Sequence, residues 1–135
     1  MARVLCLDYG EKKIGVAISD EEKNLAFPKT VIENKWEKFE SALRDIVYKE
    51  DVSIIVVGLP LGFKNQETLS TKKARAFGLK INKILDIPVA FENELLSTKQ
   101  VLKSRSAPGK MRDASAAALI LENYLLRLKQ STSNS

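Results

Sequence analysis

Hydrophobic residues and short polar turns alternate along the first third of the chain and predict three consecutive strands. Residues 3–9 are apolar at both alternating positions, which is typical of a central strand buried on both faces. A polar turn containing Gly10 leads to a β-branched run over residues 14–19, so these two segments predict a hairpin. A third strand is expected through residues 25–32, where Pro28 favours an edge position or a bulge.

From Trp36 the hydrophobic spacing changes to the three- and four-residue period of an amphipathic helix. Strands and helices then alternate, and the Ser97-Thr98-Lys99-Gln100 segment has the form of a capping box at a helix start. The remaining predicted elements are a strand over 52–57, a helix over 69–85 with a basic outer face, a short strand over 88–91, a short helix beginning near Thr98, and a long last helix after the break at Pro108-Gly109.

This order of elements predicts an α/β fold with a five-stranded mixed sheet. The first three strands form an antiparallel meander, and the later strands alternate with helices that flank the sheet. The length of 135 residues is that of one domain. We expect this domain to cover residues 1–129 and to be followed by a frayed polar tail over residues 130–135.

The composition is that of an ordinary soluble domain with a moderate excess of positive charge. Twenty-two Lys and Arg residues against 17 Asp and Glu residues give a net charge of +5, which attracts polyanions but is equally compatible with a basic domain that binds no nucleic acid. No apolar run approaches the roughly 20 residues needed to cross a bilayer. The first residues lack the pattern of a signal peptide, so we expect a cytoplasmic protein without membrane association, and Cys6 is expected in the core.

The chain contains no histidine, and this absence restricts its chemistry. Ser-His-Asp and Cys-His nucleophiles, paired-histidine ribonuclease chemistry and histidine-ligated zinc sites are all excluded. Hydrolysis would have to use carboxylates, lysines or hydroxyl groups. Carboxylates activate water at neutral pH most readily through a divalent cation, so Mg²⁺ or Mn²⁺ is the expected cofactor.

Three acidic residues occupy positions that predict a cluster. Asp8 ends the buried first strand, Glu94 follows the fifth strand, and Asp113 lies in the first turn of the predicted last helix on an apolar flank. Each has an ordinary alternative: Asp8 as a turn-initiating residue, Glu94 as a solvated loop acid, and Asp113 as a complement to the helix dipole. Three converging carboxylates would repel one another unless a cation lay among them, so convergence would indicate a metal-dependent hydrolytic site.

Four segments resemble the signatures of the YqgF (RuvX) family of Holliday-junction-resolvase-like proteins. They occur in the family's order, at fitting distances, and together they cover nearly the whole chain. The segments are Leu7-Asp8-Tyr9-Gly10-Glu11-Lys12-Lys13-Ile14-Gly15-Val16-Ala17, Val57-Gly58-Leu59-Pro60, Glu94 to Thr98, and Asp113-Ala114-Ser115-Ala116-Ala117.

The resemblance implies a ribonuclease-H-like fold and a nuclease of bacterial ribosome biogenesis that processes the 5′ end of the 16S ribosomal RNA precursor. Carried over to this sequence, its acidic cluster is Asp8, Glu94 and Asp113, and these residues would hold the metal. The expected partners are structured nucleic acid, either precursor ribosomal RNA or branched DNA, and ribosomal particles. A monomer and a homodimer both remain open, and a junction resolvase would be expected to work as a symmetric pair.

Basic residues near the predicted cluster are candidates for contacts to the nucleic-acid backbone. No acid lies between Leu95 and Arg112. A solvated surface is an equally good explanation for each basic residue taken singly, and the scarcity of aromatic residues in this stretch favours backbone contacts over base stacking. The predicted nucleic-acid-binding residues are Lys12, Lys13, Lys99, Lys103, Arg105, Lys110 and Arg112.

The chain also departs from the family pattern, and two other functions remain as alternatives. Asn93 and Leu95 replace the aspartate and arginine that usually flank the middle acid, and the loop after Pro60 lacks the usual glycine-rich continuation. These changes leave open a nucleic-acid-binding assembly factor without catalysis.

An actin-like or sugar-kinase ATPase shares the phosphate-loop hairpin but needs two lobes. Glu92 shares the Glu94 side of a regular strand and is a substitute ligand.

Overall fold

Five strands and three helices make up the described part of the chain. The computed structural model describes residues 2–62, 64, 66–93 and 109–133, and in the last helix it describes the side chains of residues 114–129. The elements are β1 (Arg3–Asp8), β2 (Lys13–Ser19), β3 (Ala26–Glu33), α1 (Trp36–Glu50), β4 (Val52–Leu59), α2 (Leu69–Leu85), β5 (Val89–Asn93) and α3 (Gly109–Ser133).

The strands form one mixed sheet, as the order of elements predicted, and their order across the sheet is β3-β2-β1-β4-β5. β1 pairs antiparallel with β2, and β2 pairs antiparallel with β3, whereas β4 runs parallel to both β1 and β5. β1 is therefore the central strand. Its residues from Val4 to Leu7 are completely buried, which explains why this segment is apolar at every position.

Pro28 lies on an edge strand and directly beside a bulge, so both structural roles expected for it are confirmed. β3 is the outermost strand on its side of the sheet. In the pairing with β2, Val16 is opposite Thr30 and Ala17 is opposite Pro28, which leaves Lys29 as the extra residue. Proline has no amide hydrogen to donate to a sheet, and an edge strand with a bulge tolerates that loss.

The two faces of the sheet pack against different helices. One core cluster joins odd-numbered residues of β1, such as Leu5 and Leu7, to Phe39 and Leu43 of α1 and to α2. The other joins even-numbered residues of β1, including Cys6, to α3. Because side chains alternate between the faces of a strand, the position of a residue in β1, β4 or β5 determines which helix layer it meets.

Both helices of the first layer end in a left-handed residue, and α2 also begins with a side-chain cap. Thr68 caps α2, because its hydroxyl accepts a hydrogen bond from the Thr71 amide while the Thr71 hydroxyl accepts one from the Thr68 amide. Asp51 and Asp86, which follow α1 and α2, adopt left-handed backbone conformations that close the last turn of each helix.

The end of β5 and both ends of α3 are among the boundaries that differ from the predictions. β5 extends to Asn93 instead of ending at residue 91, because Glu92 and Asn93 continue the pairing with β4 despite their polarity. α3 begins at Gly109, since a proline-glycine pair stops a preceding helix without preventing a new one. α3 also continues to Ser133, four residues beyond the predicted boundary at residue 129. The predicted helix near Thr98 lies outside the described residues, and none of the described helices is long and apolar enough to span a bilayer.

Candidate active site at the carboxyl end of the sheet

Asp8 is the last residue of the central strand and marks the candidate site. The strand is buried up to Leu7, and the Asp8 side chain is partly buried where β1 leaves the core opposite Gly15. The carboxyl ends of the parallel strands β1, β4 and β5 meet at this same edge of the sheet. This is the edge at which open α/β sheets bind their ligands, so the predicted position of Asp8 is confirmed.

The strand register, continued by one residue beyond the pair Leu7 and Val57, places Asp8 in one row with Gly58 and Glu92. Leu7, Val57 and Phe91 are paired across the strands, and Gly58 pairs with Glu92 one residue further on. Two strand spacings separate the backbones of Asp8 and Glu92 by about 10 Å. Gly58 has no side chain, so no side chain projects from the row between Asp8 and Glu92.

Asp8 and Glu92 share the face of the sheet that packs against α3. The alternation of side chains puts Asp8 on the side of Cys6, and Glu92 on the side of Ala90, and both of these neighbours belong to the α3 core cluster. A carboxylate arriving from α3 or from the end of β5 would therefore reach the Asp8 side of the sheet.

Glu92 already has a strong partner in α3. Its side chain is 9% exposed and forms a hydrogen-bonded ion pair with Arg127, whose guanidinium also lies 5.9 Å from the centre of the Tyr124 ring. Burial raises the pKa of Tyr124, with a smaller opposing effect from the Arg127 charge. The pair neutralises a carboxylate that would otherwise be costly to bury. Arg127 is a site residue that the sequence did not single out.

The other two predicted acids are placed only in part. Glu94 lies outside the described residues. Asp113 belongs to α3, but because this helix begins at Gly109, Asp113 lies in its second turn and not in the first turn as expected. The apolar flank predicted to continue from Asp113 is confirmed, since Ala117 and Ile120 are fully buried and Tyr124 is 8% exposed. The convergence of Asp8, Glu94 and Asp113 stays a prediction.

The predicted basic residues fall into two groups. Lys12 and Lys13 are exposed between β1 and β2, in a turn that depends on Gly10. A Cβ atom at Gly10 would lie 2.5 Å from the Lys13 carbonyl oxygen, and the Asn34 side-chain amide donates a hydrogen bond of 2.8 Å to the Gly10 carbonyl. This turn therefore holds two lysines beside Asp8. The second group comprises Lys99, Lys103 and Arg105, outside the described residues, and Lys110 and Arg112, in the first turn of α3 with undescribed side chains.

Comparison with protein families gives one match over almost the whole chain. Residues 2–127 match the family model RuvX, described as Holliday junction resolvase. A protein of Maridesulfovibrio salexigens named "Putative pre-16S rRNA nuclease" is 35% identical, and the alignment covers 93% of this chain and 98% of the relative. A protein of the same name from Syntrophus aciditrophicus is 39% identical over 95% of this chain and 91% of the relative.

Solved structures confirm the expected ribonuclease-H-like fold. RuvC from T. thermophilus, in complex with a Holliday junction substrate, superposes with a TM-score of 0.60 at 15% identity, covering 95% of this chain and 96% of RuvC. The fowlpox virus resolvase in complex with Holliday junction DNA superposes with a TM-score of 0.55 at 15% identity, covering 93% of this chain and 98% of the resolvase. At these identities the superpositions establish the fold alone.

Proposed function

Because the chain belongs to the RuvX family, we propose that it is a nuclease that hydrolyses phosphodiester bonds in structured nucleic acid. The observation that carries this proposal is the position of Asp8 at the carboxyl end of the central strand, in one row with Glu92 and on the α3 face. In this proposal Asp8, Glu94 and Asp113 are the catalytic acids. Without histidine in the chain, carboxylates are the natural groups to accept a proton from attacking water.

The carboxylate oxygens of this set suit Mg²⁺ or Mn²⁺, which prefer hard oxygen ligands. Asp8 is partly exposed at the end of β1, so the described part of the site contributes a carboxylate with oxygen donors. Asp8, Glu94 and Asp113 would hold the ion. A bound divalent cation would lower the pKa of the water bound to it and neutralise negative charge at the scissile phosphate.

Arg127 affects which acids are available for this role. Glu92 is already engaged by Arg127, so it makes a poorer metal ligand than it would without this partner. The pair instead holds the end of β5 against α3, the helix that carries Asp113. Glu92 and Arg127 are therefore proposed to position the site, with Glu92 no longer needed as the substitute ligand.

For the substrate we favour the 5′ region of precursor 16S ribosomal RNA, acted on in the cytoplasm. The support is the name carried by full-length relatives at 35% and 39% identity. Lys12 and Lys13 are exposed beside Asp8, where they could hold backbone phosphates. Lys99, Lys103, Arg105, Lys110 and Arg112 are proposed to extend this contact.

A binding factor without catalysis is the second candidate, and Asn93 favours it. This residue ends β5 opposite Leu59, where the resemblance leads one to expect an aspartate. An amide is no proton acceptor at neutral pH. A factor of this kind would bind precursor ribosomal RNA or ribosomal particles through the same basic residues, so only a cleavage assay separates it from the nuclease.

The decisive experiment compares wild type with Asp8→Asn on labelled precursor 16S ribosomal RNA and on a four-way DNA junction, with Mg²⁺ or Mn²⁺. Asp45→Asn is the matched control, because Asp45 is an exposed acid of α1 paired with Lys49. We expect metal-dependent cleavage that the control retains and Asp8→Asn loses by at least about 100-fold. Substrate preference then decides between RNA and junction DNA. Binding without cleavage by wild type under either metal would overturn the nuclease and support the binding factor.

A further inference from the structure

A groove runs between the β1–β2 turn and α2, on the opposite face of the sheet from α3. We call it the Lys73 groove, and its main lining residues are Tyr9, Glu11, Asn34, Trp36, Lys73 and Lys80. Its volume is about 580 Å³, and a neighbouring hollow of about 210 Å³ shares Tyr9, Glu11 and Lys73 with it and continues to Pro60. Tyr9 directly follows Asp8, so the groove starts at the edge that carries the candidate active site.

The helix that forms one wall is basic along its exposed side. α2 contains five Lys and Arg residues and no acid. Lys73, Lys80 and Lys83 are exposed and follow one another at intervals of seven and three residues, so they lie near one line about 15 Å long. At a rise of about 3.4 Å per nucleotide, this line matches roughly four nucleotides of a stacked strand.

Two of these lysines are held in the groove by its other wall. The Lys80 ammonium lies 3.8 Å from the centre of the Trp36 ring, a cation–π contact that fixes it beside the groove. Lys73 forms an ion pair of 3.1 Å with Glu11, whose side chain is 75% exposed. An exposed pair of this kind is weak, so an incoming phosphate can replace Glu11 as the partner of Lys73.

The floor of the groove gives these charges a rigid base. The Tyr9 ring packs against the Phe77 ring with 4.6 Å between their centres, and Phe77 in turn packs against Phe39 in the core at 5.3 Å. The Asn34 side chain is tied to the Gly10 carbonyl. The floor therefore does not need to reorganise on binding, which reduces the entropic cost of holding a ligand.

We propose that the Lys73 groove binds the phosphodiester backbone of a nucleic-acid strand, with Lys73 and Lys80 contacting phosphates and Lys83 extending the contact along α2. This deepens the proposed nuclease function, because the strand bound here would continue from the scissile phosphate at Asp8. An acidic peptide would also suit the charge. Tyr9 in the groove wall directly follows Asp8, so the groove reaches the same edge of the sheet from its other face, and this favours the strand whose bond is proposed to be cleaved there.

The test measures binding of a fluorescently labelled single-stranded RNA 20-mer by anisotropy, in EDTA so that no metal-dependent cleavage occurs. The variant is Lys73→Gln combined with Lys80→Gln. The charge-matched control is Lys38→Gln combined with Lys49→Gln, two exposed lysines of α1 that are paired with Glu33 and Asp45. Circular dichroism and urea midpoints confirm that both variants are folded.

We expect the groove variant to weaken binding about tenfold at low salt and to reduce the slope of log K against log[salt] by about 1.4, because two phosphate contacts are lost. The change in log K for the control variant should be less than half of the change for the groove variant. Glu11→Gln should tighten binding about two- to threefold, since it releases Lys73. Equal losses in groove variant and control, or unchanged binding in the groove variant, would overturn the proposal.

A labelled poly-glutamate peptide of the same length separates the two polyanions. Binding of this peptide as tight as that of the RNA would also overturn the assignment to nucleic acid. These outcomes do not depend on catalysis: a protein that binds RNA through the groove but never cleaves it would contradict the nuclease and leave the groove standing. If the protein with both groove lysines replaced cleaves normally and binds RNA unchanged, that result would contradict the groove and leave the nuclease standing.

Discussion

Glu92 of β5 and Arg127 of α3 form an ion pair across the face of the sheet that contains Asp8. The Glu92 side chain is 9% exposed, while Arg127 is 61% exposed and reaches the carboxylate from solvent. The two residues are 35 positions apart, and the segment between them includes Glu94 and Asp113. The pair therefore joins the two elements that must be held together for the predicted acids to meet.

Loss of this pair should destabilise the protein because it leaves a buried carboxylate without a partner. We expect Arg127→Gln to lower the free energy of unfolding by about 1–3 kcal/mol in urea titrations. Glu92→Gln combined with Arg127→Gln should cost less than the sum of the single changes, since the coupling is removed only once. Additive effects would contradict a direct interaction. Arg44→Gln, at an exposed helix pair with Glu40, is the control and should cost about 0.5 kcal/mol or less.

Gly78 of α2 is required by the close approach of Phe91 in β5. A Cβ atom at position 78 would lie 2.6 Å and 2.8 Å from two ring carbons of Phe91. Alanine would improve helix propensity by about 1 kcal/mol, but overpacking costs about 1–3 kcal/mol. We expect Gly78→Ala to lower the free energy of unfolding by about 1 kcal/mol, measured by urea denaturation.

The Phe91→Leu background tests the cause of that effect. With the ring removed, Gly78→Ala should become neutral or stabilising, because only the propensity gain remains. The same destabilisation in both backgrounds would show that the ring is not the obstacle.

Thr71 is a buried hydroxyl that connects the start of α2 to the end of β4. It is completely buried, donates a hydrogen bond to the Pro60 carbonyl and accepts one of 3.0 Å from the Thr68 amide. Thr71→Val keeps the shape of the side chain but leaves the Pro60 carbonyl and the Thr68 amide without their partner. We therefore expect a loss of about 1–3 kcal/mol in unfolding free energy. Thr71→Ser keeps the hydroxyl and should cost about 0.8 kcal/mol, the value of one methylene. A serine variant as unstable as the valine variant would contradict this explanation.

Asp20 should make the stability of the β2–β3 turn dependent on pH. Its carboxylate accepts hydrogen bonds from the amides of Leu25 at 2.9 Å and Asn24 at 2.8 Å, and the bond from Leu25 is the main cause of its lowered pKa. A lowered folded-state pKa means that the stabilisation is present above the unfolded value of about 3.9 and is lost as the pH falls through the folded value.

Urea midpoints at pH 7 and pH 3 test this dependence in wild type and Asp20→Asn. The variant should be less stable than wild type at pH 7, and the difference should shrink at pH 3, because this pH lies below the unfolded-state pKa of about 3.9. Asp45→Asn, an exposed acid of α1, serves as the control. A difference between wild type and Asp20→Asn that is the same at both pH values would contradict the role of the charge.

Most of the fold could be predicted because its determinants are local. The helix over Leu69–Leu85 has the predicted bounds, since its apolar spacing and its capping threonine both lie within one short segment. The end of β5 was missed for the converse reason. Glu92 and Asn93 carry no β-strand pattern of their own, and they are extended because β4 lies beside them.

Only part of the candidate site could be predicted from local sequence patterns. Asp8 could be placed from the apolar run that precedes it, and Cys6 is buried as expected. Arg127 could not be singled out, because an arginine near the end of a helix is usually solvated. The basic face of α2 was visible in the sequence, but its groove depends on the packing of Tyr9 against Phe77, residues 68 positions apart.

The sequence by itself determined the kinds and order of the elements, the burial of β1 and the absence of histidine chemistry, because these follow from side-chain type and short-range periodicity. The tertiary structure decided which strands are neighbours, that Asp8, Gly58 and Glu92 share a row, and that Glu92 meets Arg127. The reason is that strand register and helix packing depend on contacts between distant segments, and no local pattern encodes the distance between two such side chains.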